Sequence, residues 1–276
     1  MRTPAPVGIE QRDMRFEPHA EALRTWHPDG PHVTHFFNAL SIFFPEGEKF
    51  FIEAVRHYRD RIDDPGLAAD VQAFVGQEAI HSREHRRYNQ ALAEVGLPVA
   101  RLEGWLRGFL ERVRKRASPI EQLAATIALE HFTAILAGQV LAADALGDAP
   151  DEMARIWRWH AVEETEHKAV AYDVFETVTA DRRGAYVLRS AVMLSTSVIF
   201  WFLVFRFHWA LVRADGLAGD LRGWLRLARF LWVRPGTLRR LVRPWARYFR
   251  PGFHPWQDDN HHLVETWKAG LSAASP

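Results

Sequence analysis

Trp157-Arg-Trp-His-Ala-Val-Glu-Glu-Thr-Glu-His-Lys-Ala-Val-Ala-Tyr172 is the stretch from which the fold follows. Its Ala, Glu, Lys and Val, with no Gly or Pro, favour a helix. Within it, Glu164-Thr-Glu-His167 sets a carboxylate and an imidazole three residues apart. That spacing puts both heads on one helical face, within reach of one metal ion. A second copy, Glu78-Ala-Ile-His81, stands upstream in a similarly helical setting. Two such helices, with one more Glu from each of two others, make the ligand set of ferritin-like di-metal bundles.

The flanking helices supply the missing acids. A first helix is expected from about Pro45 to Asp60, because proline starts or breaks a helix. Phe44, Glu48, Phe51, Ile52 and Val55 share its apolar face. A second, from about Leu67 to Val95, carries Val71, Phe74, Glu78, His81, His85 and Tyr88 on one stripe, after the turn Asp63-Asp-Pro-Gly66. Arg101 to Arg116 reads as a basic surface helix. Ser118-Pro-Ile-Glu121 is a helix start, with a capping residue, proline at the first position and the acid of a capping box. The third helix then runs to about Leu146, with Glu130 on its apolar face beside small residues. A fourth runs from Pro150 or Asp151 to about Val178, through His160, Glu164 and His167. The connections are mostly short, as in a bundle.

The candidate metal ligands are therefore Glu48, Glu78, His81, Glu130, Glu164 and His167. A lone Glu-x-x-His pair is weak, since both residues are common. Two copies on separate helices, each joined by a single acid on a neighbouring apolar face, are far more specific. Four buried carboxylates with no counter-charge would cost several kcal/mol each, so these groups are either liganded or exposed. Glu163 or Glu166 could stand in for Glu164, and Glu46 for Glu48. His85 and His160, one turn from the ligand pairs, are extra ligands, partners of ligands or satisfied core histidines. The set suits two metal ions, iron before manganese or zinc.

Composition sets limits. The chain has 276 residues, net charge +1, 48% hydrophobic residues and no cysteine. Disulfides, thiolate metal sites and cysteine nucleophiles are excluded. The first residues hold no apolar run of a secretory signal, and a cytoplasmic location is expected. Residues 1–30 read as an arm, 31–212 as the metal-binding bundle, and 213–276 as a basic, Trp-rich extension.

Phe43-Phe-Pro-Glu-Gly-Glu-Lys-Phe-Phe51, Gln77-Glu-Ala-Ile-His-Ser-Arg-Glu-His85, Ala128-Leu-Glu-His-Phe132 and His160-Ala-Val-Glu-Glu-Thr-Glu-His-Lys168 carry a resemblance. With Phe253-His-Pro-Trp256 they resemble the bacterial family of predicted metal-dependent hydrolases. The resemblance implies a metal and hydrolysis by an activated water. No Gly-x-Ser-x-Gly or His-Glu-x-x-His motif is present. The ligand pattern is closer to ferritin-like oxidases, oxygenases and desaturases. The reading is thus an all-α, ferritin-like bundle, an O2-dependent oxidoreductase acting on an apolar or lipid-like substrate with an electron donor. The alternatives are a metal-dependent hydrolase and a non-catalytic, membrane-associated metal-binding protein.

Ser190 to Phe205 contains no charge, and Arg189 and Arg206 bracket it. The apolar helix spanning 185–212 reaches the ~20 residues of a bilayer span only if those arginines snorkel. From Arg206 to Arg250 the chain holds eleven arginines against two aspartates, interleaved with Trp209, Trp224, Trp232 and Trp245. That profile suits a membrane surface better than nucleic acid, for which no recognition motif is present. A true span would put the basic tail outside, against the positive-inside tendency. The helix is expected against the bundle or in one leaflet, with a fifth core helix as the alternative. His254 to His262 is expected to be a solvated tail.

Overall fold

A computed structural model describes residues 7–20, 22–142, 145–149 and 151–274. Its helices are α1 (Pro31–Arg56), α2 (Pro65–Glu94), α3 (Val99–Arg116), α4 (Pro119–Ala142), α5 (Asp151–His167), α6 (Val170–Thr179), α7 (Ala185–Ala214), α8 (Leu221–Trp232), α9 (Thr237–Arg247) and α10 (His261–Ala274). No strand occurs among the described residues. The all-α bundle expected from the sequence is the observed architecture.

α1 pairs with α2, and α4 pairs with α5 and, beyond a break, with α6. α7 packs against both α1 and α4, and α3 lies along α1. The buried stripe of α2 runs Val71, Phe74, Glu78, His81, His85, Tyr88, Leu92, the three-and-four spacing of one helical face. Asp64 opens that helix by accepting the Leu67 amide at 2.6 Å, with Pro65 in the first turn. The interior is aromatic: Phe36, Phe50, Phe74, Phe132, Trp159, Phe175, Phe207 and Phe230 are fully buried. Each such side chain contributes about 1.5–3 kcal/mol.

Two helix boundaries differ from expectation. The first helix begins at Pro31, not Pro45, and Pro45 lies inside it. Proline at that position cannot donate to the Ser41 carbonyl one turn back. Asn89 of α2 supplies that bond, donating to Ser41 O at 3.1 Å. The expected fourth helix breaks after His167 into α5 and α6. At the break Lys168 donates to Asp258 O and Asn260 Oδ1, both at 2.7 Å, and its ammonium lies 3.9 Å from the Trp256 ring centre. The segment around His254 is therefore no solvated tail. Phe253 and Trp256 are buried, and His254 Nε2 lies 3.0 Å from Asp173 Oδ1. Apolar burial and the Lys168 contacts hold it down. The arm and the extension also enter the interior, through Phe16, Leu23 and Trp26 on one side and Leu227, Phe230 and Tyr248 on the other.

Candidate metal centre

The four central helices bring all six expected ligands together. Glu48 comes from α1, Glu78 and His81 from α2, Glu130 from α4, and Glu164 and His167 from α5. All are essentially inaccessible to solvent. Glu78 faces both imidazoles, with Oε2 3.8 Å from His81 Nδ1 and Oε1 3.2 Å from His167 Nε2. Glu164 does the same from the opposite helix, with Oε1 3.8 Å from His81 Nδ1 and Oε2 3.7 Å from His167 Nε2. Two carboxylates thus each offer one oxygen to either side, the arrangement of bridging ligands. Glu130 Oε2 lies 3.5 Å from His167 Nε2. Donor atoms of Glu78, Glu130 and His167 fall within 4.8 Å of one another, as do those of Glu78, His81 and Glu164, and those of Glu48, His81 and His160.

The test of fit lies in the polar atoms with no partner. Glu48 Oε1, both oxygens of Glu78, His81 Nδ1, both oxygens of Glu130, Glu164 Oε2 and His167 Nε2 are buried and have no hydrogen-bond partner. Buried groups in this state are costly. They fall into overlapping groups of three, and nitrogen and carboxylate oxygen are the donors that iron, manganese or zinc accept. The residues present fit a pair of divalent cations.

The opposite nitrogens of both rings are committed. His81 Nε2 lies 3.0 Å from Glu163 Oε2, an acceptor, so Nε2 carries hydrogen and Nδ1 faces the cluster. Trp159 Nε1 donates to the same carboxylate at 3.2 Å. His167 Nδ1 lies 2.8 Å from Gln77 Oε1. Gln77 Nε2 donates to Glu166 Oε2 and Glu10 O, both at 2.9 Å, which fixes the amide and leaves Oε1 to accept. His167 Nε2 is then the bare nitrogen. Arg12, from the N-terminal arm, ties the two systems together by donating to Glu163 at 3.3 Å and Glu166 at 2.7 Å.

His160 follows from a longer chain of donors. Asn89 Nδ2 donates to Ser41 O and Glu103, so its Oδ1 accepts the Ser41 hydroxyl at 2.8 Å. Ser41 Oγ therefore accepts from His85 Nδ1 at 2.9 Å, and neutral His85 accepts from His160 Nδ1 at 2.8 Å. His160 Nε2 is left as a bare lone pair 2.8 Å from Glu164 Oε1. Two acceptors at that distance require a proton or a cation between or beside them. His160 can thus serve as a further ligand, whereas His85 positions it.

Charge is unevenly held. Burial pushes the Glu48 and Glu130 carboxyls well above the usual carboxylate range, and neighbouring acids push further. Burial also raises Glu78. At Glu164 burial acts upward too, but the facing His160 and His167 rings outweigh it and hold the group well below that range. Burial favours the neutral His81 ring, yet Glu163 and Glu78 override it and raise its pKa well above the ordinary value. His160 is lowered to about 4 by burial and by His81. Without metal, the cluster therefore holds protons, which cations must displace.

Of the stand-ins considered from sequence, Glu163 and Glu166 sit behind the cluster on Arg12, and Glu46 pairs with Arg107 at 2.8 Å. Arg12 and Gln77 are functional neighbours that sequence reasoning passed over, whereas Glu163, considered there as a ligand, holds His81 from behind.

A cavity of about 330 Å³ adjoins the centre. Glu48, His160 and Glu164 form part of its wall, and most of the rest is Phe, Leu, Val and Ala. One stripe of α4, from Glu121 to Val140, lines it. By helical rise that stripe is about 28 Å long, and Glu130 lies level with its middle on another face of α4. Thr237 Oγ1 and Gln139 Oε1, at the Val140 end, are buried and have no partner.

Comparison with curated proteins and with solved structures finds no match. The family model described as predicted metal-dependent hydrolase matches residues 10–259, from the arm that carries Arg12 to the turn that holds Lys168, and the chain belongs to that family.

Proposed function

We propose that this chain is a hydrolase that uses a pair of bound cations on a substrate with a long apolar chain. The observation that carries the reading is the shared wall: Glu48, His160 and Glu164 belong both to the ligand cluster and to the cavity. The family description supports hydrolysis. When bound, the cations lower the pKa of a water molecule and polarise the bond to be cleaved. The chain's own groups do the rest. The apolar wall aligns the chain of the substrate and excludes bulk water. Gln139 Oε1 and Thr237 Oγ1 offer unused hydrogen bonding to a polar end, about 13 Å from Glu130 along α4. Where His160 is not itself a ligand, its Nε2 can take a proton released at the centre, with His85 and Ser41 holding the ring through Nδ1.

A second reading is O2-dependent oxidation of the same apolar substrate. It is favoured by the donor set, four carboxylates with few imidazoles, which suits iron or manganese. Metal-loaded protein offered long-chain esters and amides, in air and under argon, separates the two. Turnover that persists under argon and places isotopic oxygen from water in the product supports hydrolysis. Turnover that needs air removes that reading.

A further inference from the structure

α7 is the longest apolar helix that leaves so much of itself outside. Its most apolar window is 22% buried, against 61% for α4. One face packs on α1 and α4. The other carries Leu194, Val198, Phe202, Phe205 and Trp209, all exposed and spaced as one helical stripe. α8 continues the surface, since Trp209 stacks on Trp224 with ring centres 5.6 Å apart. Its own exposed stripe is Leu221, Leu225 and Trp232. α9 adjoins the middle of α7, where Trp245 Nε1 donates to Ser197 at 2.9 Å, and exposes Val242. Apolar patches of this extent mark a docking surface.

The charge around the patch identifies what docks. Arg206, Arg213, Arg222, Arg226, Arg240 and Arg243 are exposed beside these apolar residues. No glutamate or lysine lies between residues 185 and 250, and the two aspartates there are engaged. Asp215 pairs with Arg24 and with His35, and Asp220 caps α8. A surface of apolar side chains in an arginine field complements anionic lipid. A second copy would set arginine against arginine. A full span is excluded by the packed face of α7 and by buried Arg189 at its start, which is bonded to the carbonyls of Tyr248 and Arg250.

The cavity reaches this same surface. Ser195 and Ile199 of α7 line it and are exposed, next to Val198. We propose that the exposed face of α7, α8 and α9 docks on an anionic lipid bilayer, with the mouth of the cavity turned towards the lipid. Docking stands by itself; entry of a lipid chain through the mouth rests on the function proposed above. An apolar chain passing from bilayer to cavity would not cross water.

The test is sedimentation with vesicles of phosphatidylcholine alone and of phosphatidylcholine with phosphatidylglycerol in equal parts, using the full chain. Binding is expected on the anionic vesicles, weakened by salt, with tryptophan emission quenched by brominated lipid. Phe202→Glu should abolish binding. Arg240→Ala with Arg243→Ala should weaken it roughly 25-fold, about fivefold for each arginine. All these positions are exposed, and unchanged circular dichroism and metal content would show the variants folded. Wild type that ignores anionic vesicles overturns the proposal. So does a dimer that Phe202→Glu dissociates while vesicle binding is absent. Vesicle binding without any turnover would leave docking intact and count against the reaction instead.

Discussion

Arg12 and Gln77 meet on one carboxylate, that of Glu166, which takes a hydrogen bond from each at 2.7 and 2.9 Å. Gln77 in turn accepts from His167 Nδ1, and Arg12 also holds the Glu163 that accepts from His81 Nε2. One guanidinium from the N-terminal arm therefore braces the partners of both imidazoles. Partners of this kind are worth 10–100-fold in metal affinity. Gln77→Leu should weaken metal binding by roughly that factor at the His167 side, and Arg12→Ala should weaken both sides. Competition titration with a chromophoric chelator reads the effect. Unchanged affinity in both variants would mean the two rings are oriented by packing alone.

The cluster should trade stability for binding. Glu130 is fully buried, its oxygens have no hydrogen-bond partner, and its carboxyl is pushed towards the protonated form by burial. Glu130→Gln keeps the volume and removes the charge. Metal-free protein should gain stability, on the order of 1–4 kcal/mol, and lose it relative to wild type once metal is added. Thermal unfolding of both proteins, with chelator and with excess manganese, shows whether the order reverses. The same order in both conditions would argue against a cation at Glu130.

The parts legible in sequence were those governed by local spacing. Glu78 with His81 and Glu164 with His167 share faces because helices repeat every 3.6 residues, and the same arithmetic put Glu48 and Glu130 inwards. Pro45 misled because its rule is local, whereas the remedy, Asn89 donating to Ser41 O, comes from another helix. The Arg12 clamp was hidden for the same reason: it joins positions some 150 residues apart. His160 could be placed on the right face, but its bare Nε2 follows only from Asn89, Ser41 and His85 acting in series. The docked Phe253 to Trp256 segment depends on a break after His167 that no proline or glycine announces.

Stability should also depend on pH through histidines far from the cluster. Burial lowers His208 to about 4, only partly offset by its bond to the His32 carbonyl at 2.9 Å. The unfolded chain titrates near 6.5. Between about 4 and 6.5 the unfolded state binds more protons, so stability rises with pH across that window and the contribution is lost as pH falls through it. The full swing is about 3 kcal/mol. His208→Gln keeps an amide donor for the His32 carbonyl and cannot titrate. Urea unfolding at roughly pH 5 and pH 7 should show a smaller pH dependence in the variant. An identical slope would mean that His208 is protonated inside the fold.

The proposed apolar substrate can be tested at the cavity. The α4 stripe along it spans about 28 Å by helical rise, and its mostly apolar volume of about 330 Å³ gives room for the proposed apolar chain. Leu129 lines it one residue before Glu130, about 100° away around α4. Leu129→Trp should fill the passage while the six ligands stay in place. A fluorescent long-chain acid such as cis-parinaric acid should bind wild type with enhanced emission. The variant should bind it at least about tenfold more weakly, the effect of roughly 1.4 kcal/mol of overpacking. Metal content should not change, because Glu130 leaves α4 about 100° round from Leu129 and does not line the cavity. Loss of both metal and probe would show only a damaged core, and Ala125→Phe, one turn earlier on the same stripe, then serves as the second test. Equal probe binding in wild type and both variants would mean that the chain sits elsewhere, and the apolar-substrate reading would fall.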